Sequence, residues 1–157
     1  MVNHFKTNPH KAAAKIEINN TLISVCITIF GIMWAFAPER LNVEILLQFI
    51  FAVPLLYISS ICYTKIAYWK EVKCWDYYGW FTSTTAAAFV LNVIGILTFF
   101  LGYTIMALIY FAVIWFLLII YTLINIHYDP KATGVKVFKL LFFILIQLIF
   151  GIGILYL

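Results

Sequence analysis

His127-Tyr128-Asp129-Pro130 is the one place in this chain where a histidine and a carboxylate stand two residues apart. An imidazole beside a carboxylate can move a proton to or from a reacting group, here a lipid headgroup. On a helix end, however, residues two apart need not converge. Asp129-Pro130 reads more simply as a helix stop followed by a turn.

A second group of reactive-looking side chains lies in the stretch "GWFTSTTAAAFVLNVIG", residues 79–95. At helical spacing Thr84, Thr85, Ala88, Asn92, Gly95 and Thr98 fall near one face, and Gly102 continues it. Phe81, Phe89, Val93, Ile96 and Phe100 then turn toward lipid or bulky neighbours. Hydroxyls and an amide in so apolar a segment can line a path for a polar species. They can also let helices approach closely and bond across the gap, which is the commoner use of small and polar residues in membrane helices. Asn92 needs a partner, because an unpaired amide in hydrocarbon costs several kcal/mol. Gln48, Ser59, Ser60, Gln147 or a second Asn92 from another copy could supply it.

What is missing narrows the chemistry further. Deep within the apolar runs there is no Asp, Glu, Lys, Arg or His. Proton relays, voltage sensors and Schiff-base pigments are built on such residues, so those functions are not expected. His4, His10 and His127 fall at or beyond the edges of the runs, leaving haem without a ligand inside them. Cys26, Cys62 and Cys74 have no metal-site spacing. No metal or other cofactor is expected.

These residues must be held by helices that cross a membrane. The chain has 157 residues, 66% hydrophobic and 10% charged, with a mean hydropathy of +1.06. A soluble domain carries about 25% charged residues. A helix needs about 20 apolar residues to cross a hydrocarbon core of roughly 30 Å. Residues 20–37, 45–64 and 138–157 each meet that requirement. Between Asp76 and Asp129 there is no charged residue at all. One straight helix there would be about 75 Å long, so the segment must fold back. Leu101-Gly102-Tyr103 divides it evenly, into 79–100 and 104–126. The reading is all-α: a polytopic five-helix bundle over residues 20–157, preceded by a partly helical arm over residues 1–19.

Charge placement gives the orientation. Lysine and arginine collect on the cytoplasmic side of short loops. Five spans put Lys6, Lys11, Lys15, Lys65, Lys70, Lys73, Lys131, Lys136 and Lys139 on one side and Arg40 alone on the other. The N-terminus is therefore expected in the cytoplasm and the C-terminus outside, with the arm and the basic loops on the inner face. So uneven a split argues against an antiparallel dimer of opposed topologies. The net charge of +4 is then an orientation signal with some attraction for anionic lipid, not a sign of nucleic acid binding. Ala35-Phe36-Ala37 resembles a signal-peptidase site, but Pro38 follows it directly and the first span reads as retained.

Local signals refine the picture. Asn8-Pro9 suits the start of a helix, by N-cap and first position, and Asn19-Asn20 is the expected bend. Pro54 should kink the second span. Trp69, Trp75, Tyr77, Tyr78 and Trp80 form an aromatic belt at the inner interface.

Three functions fit these residues. The first is a non-enzymatic, multi-pass protein that self-associates through small and polar helix faces, with the third span and Asn92 at or near the contact, in its stronger form as a pore or membrane-permeabilising assembly. The second is an accessory or anchoring subunit that docks on another membrane protein. The third is a lipid-handling enzyme or binder at the inner leaflet. The expected partners are the bilayer and either a second copy or another membrane protein.

Overall fold

The computed structural model describes residues 7–68 and 73–156, and beyond Thr7 and Asn8, which lead into the first helix, these lie in helices and the short turns between them. Five helices are long and apolar enough to cross a membrane. Four of them are α1 (Pro9–Phe36), α2 (Val43–Tyr68), α3 (Lys73–Phe100) and α4 (Thr104–Tyr128), and the fifth is the continuous segment Pro130–Tyr156, whose α-helical part is α5 (Thr133–Gln147). α5 continues through a widened π turn, Leu148–Ile152, and a tight 3-10 turn, Gly153–Tyr156.

Each helix boundary has a local cause. Asn8 caps α1, its side-chain oxygen accepting from the Lys11 N–H at 2.8 Å, and Pro9 occupies the first turn. The Asn42 side chain accepts from the Ile45 N–H at 3.1 Å and starts α2 in the same way. The reversal between α3 and α4 falls at Leu101-Gly102-Tyr103, with Gly102 at φ +89°. There the Tyr103 N–H bonds the Thr98 carbonyl and the Gly102 N–H bonds the Phe99 carbonyl. This is the Schellman arrangement, which needs a residue free to adopt a positive φ. Pro130–Ala132 turns the chain from α4 into α5.

The helices outrun the apolar segments at several ends. Their hydrogen bonds are internal, so a helix continues past the lipid boundary until a cap or proline stops it. α1 is one continuous helix through Asn19-Asn20, so the arm runs on into the first span without a break. Asn19 has turned inward to bond other helices instead of competing for its own backbone. Pro54 lies inside α2 and is exposed.

The chain divides into two units at the Val90–Leu91 bond. The first contains α1, α2 and the beginning of α3. Within it α1 packs along α2, burying Ala12, Asn19, Cys26 and Met33, which recur every seventh residue. Phe30 meets Phe49 edge-on, with ring centres 5.7 Å apart. The second unit contains the end of α3 with α4 and α5. Its core is Phe111, fully buried, with Val93, Ile96 and Ala107.

Candidate functional site

The polar residues of the helices collect in separate stations. In the first unit Asn19 is the centre. Its amide nitrogen donates to Ser59 Oγ at 3.0 Å, and its oxygen accepts from Ser83 Oγ at 3.0 Å. Ser59 Oγ in turn donates to the Gly79 carbonyl at 2.8 Å. One amide thus joins α1, α2 and α3, and each group in the chain is satisfied. Ser59 is fully buried and Ser60 nearly so, while Gln48 is 2% exposed. Ala88 is fully buried; Thr84 and Thr85 are half-buried. The Ser60 and Thr85 hydroxyls have no hydrogen-bond partner among the described residues.

In the second unit the station is built around Asn92, Trp115 and Gln147. Trp115 Nε1 donates to Gln147 Oε1 at 2.8 Å. Asn92 and Gln147 are both fully buried. One turn past Gln147, the Gly151 position faces Asn92: a Cβ added there would lie 2.7 Å from Asn92 Oδ1. Gly95 likewise seats the Phe111 ring, which a Cβ would overlap. Glycine is used here for close approach of backbones, as between membrane helices generally. Thr98 is half-buried and turns its hydroxyl to its own helix, at the Ile94 carbonyl, 2.7 Å away.

The stripe read along α3 is therefore shared between two units, with Thr84, Thr85 and Ala88 in the first and Asn92, Gly95 and Thr98 in the second. Phe89, Val93 and Ile96 on the same helix are buried too, while Phe81 and Phe100 are exposed. Of the belt residues, Tyr77 and Tyr78 are exposed and Trp75 and Trp80 half-buried, all in the first turns of α3. Trp69 lies outside the described residues.

At the other end of α4, the Asp129 carboxylate faces Lys136 at 3.6 Å. Lys136 Nζ also donates to the Asn125 and Asp129 carbonyls at 2.6 and 2.7 Å. It closes the C-terminus of α4, where a cation is favoured by the helix dipole. His127 is exposed and sets its ring edge-on to Tyr128.

Two features were not anticipated. One is a polar cluster around the single carboxylate of Asp76 at the first turn of α3, which ties down Thr7. The other is the outward face of α1. Ala14, Glu17, Thr21, Ser24, Thr28, Gly31 and Ala35 are all exposed, at alternating spacings of three and four. They lie opposite the buried row from Ala12 to Met33. Large apolar residues flank them, Ile18, Val25 and Ile32 on one side and Ile27 and Trp34 on the other. The N-terminal part of this face is a shallow groove of about 470 Å³ lined by Ala13, Ile16, Glu17, Asn20, Thr21 and Ser24. Thr21 and Ser24 turn their hydroxyls to the Glu17 and Asn20 carbonyls, both at 3.0 Å. Around Gly31 an added Cβ would meet nothing within 4 Å. The alternating spacing was the available signal for this seam.

Compared with protein-family models, with curated proteins and with solved structures, the chain matches none.

Proposed function

We propose that this chain is a non-enzymatic, five-span membrane protein that self-associates, with α1 as its contact helix. The amino terminus and the lysine-rich loops lie on the cytoplasmic side and the C-terminus lies outside, a reading supported by the distribution of basic residues. The bilayer is its first partner and a second copy its next.

The observation that carries this reading is the seam of α1. Apolar lipid gives helices no hydrophobic reason to associate, so contact faces are made by small residues that admit a second backbone. The α1 seam offers Ala14, Thr21, Ser24, Thr28, Gly31 and Ala35 over six turns, with Glu17 among them near its start, between two rows of larger apolar side chains. Glycine in mid-helix costs about 1 kcal/mol relative to alanine, and nothing within the protomer requires one at Gly31. A partner helix lying in the groove would require it. A period of 3.5 residues favours a left-handed crossing, and a common orientation in the membrane makes the pair parallel.

The polar residues of α3 and α5 are better suited to holding the protomer together than to conducting. Asn92 and Gln147 are fully buried, and Trp115 occupies Gln147. At the inner end of α4, the pairing of Asp129 with Lys136 favours a structural turn over an acid–base site.

The test is energy transfer between donor- and acceptor-labelled copies in liposomes at a fixed protein-to-lipid ratio. Transfer should exceed that of randomly mixed membrane proteins and fall to that level with Gly31→Leu. A wild-type signal at the random level would refute self-association. Transfer untouched by Gly31→Leu would move the contact to another helix.

A further inference from the structure

Asp76 is a carboxylate with only 7% of its surface exposed, set in the first turn of α3. Both of its oxygens are engaged by one residue far away in the chain. The Thr7 N–H donates to Oδ2 at 2.6 Å and the Thr7 hydroxyl donates to Oδ1 at 2.5 Å. Thr7 immediately precedes Asn8, the cap of α1. Two turns into α1, Lys15 Nζ donates to Thr7 Oγ1 at 3.1 Å and to the Tyr63 hydroxyl at 3.2 Å. The same ammonium lies 4.4 Å from the centre of the Tyr63 ring, and Tyr63 is 1% exposed. The starts of α1 and α3 and the final turns of α2 are thereby closed into one cluster.

α1 is the least embedded of these three helices: 17% of its apolar window is buried, against 44% for α2 and for α3. Past the cluster, its next polar tie is Asn19. Thr7 ties down the start of α1, and Lys15 and Asn19 act on the side of α1 opposite its seam. They set the rotation of the helix about its own axis and so decide which face points outward.

We propose that the Thr7–Asp76 clamp is a strap that fixes the first turns of α1 against the bundle and so holds the seam in its outward setting. Open, the strap frees those turns, and self-association through the seam weakens. This second consequence rests on the self-association reading above. The first does not.

The experiment uses the full chain in lipid nanodiscs, with two readouts: hydrogen exchange of the amides in the first turns of α1, and the mass of the assembly. Asp76→Asn and Thr7→Val each weaken the clamp without touching the seam. Charge-assisted bonds of this kind correspond to about a tenfold change in opening or more, so exchange in residues 11–16 should rise about tenfold in both variants and the assembly should shift toward monomer. Thr7→Ser keeps both donors and should behave as wild type. That pair decides the question if Asp76→Asn does not fold. Unchanged exchange in Thr7→Val would overturn the strap. Faster exchange with an unaltered assembly would overturn its control of the seam. A monomeric wild type would remove the self-association reading alone, and exchange would still judge the clamp.

Discussion

Asn19 bonds Ser59 and Ser83 from opposite ends of one amide, while its neighbour Asn20 is exposed on the other side of α1. In membrane helices such side-chain bonds average about 0.6 kcal/mol each. Asn19→Leu should therefore destabilise the first unit by about 1 kcal/mol, read by denaturant titration in mixed micelles, while Asn20→Leu should change little. Equal effects would mean that the Asn19 bridge carries no particular weight. Gly95 makes a sharper case, since its missing side chain is the seat of Phe111. Gly95→Val forces that ring away, and overpacking of this kind costs about 1–3 kcal/mol. Phe111→Leu in the same chain should recover part of the loss, and a cycle of the two variants measures the coupling. Additive losses would exclude the contact. At this scale the sequence is legible in type but not in direction. It marks Asn92 and Gln147 as groups that need company, and both are buried in the second unit. It cannot say which side of a helix will be inside, because that depends on neighbours from distant parts of the chain. Asp76 shows the difficulty. A carboxylate at a membrane edge looks like a solvated flank until Thr7 folds back on it from 69 residues away.

Among the elements, the reversal at Gly102 was readable because both of its signals are local: an overlong charge-free run, and a residue free to take positive φ. Gly102→Ala places a Cβ in a left-handed conformation that costs about 1–2 kcal/mol. The variant should lose about that much stability, with no change in helical content by circular dichroism. A neutral substitution would show that the turn can be closed in another way. Helix ends were less legible. Hydropathy reports where lipid begins and ends, whereas caps and prolines decide where hydrogen bonding stops. That is why α1 begins at Pro9 and passes through Asn19-Asn20 unbroken. The outward face of α1 shows the opposite limit. Its period was present in the sequence, but only the burial of Ala12, Asn19, Cys26 and Met33 on the far side makes that face an outer one.

For the whole molecule, two proposals rest on the distribution of residues along all five helices. The first is orientation. Cys74 is exposed, whereas Cys26 and Cys62 are buried, so an impermeant thiol reagent reads a single position. It should label Cys74 only from the cytoplasmic side, in inside-out vesicles and not in intact cells. Labelling of intact cells would reverse the topology and with it the role of the lysine-rich loops. The second is the proposed self-association, on which the functional reading stands. It is tested most directly by the mass of the purified protein in lipid nanodiscs, by light scattering with bound lipid subtracted, beside Gly31→Leu. The account predicts a discrete oligomer for wild type and a monomer for the variant. A wild-type monomer under the same conditions would contradict it.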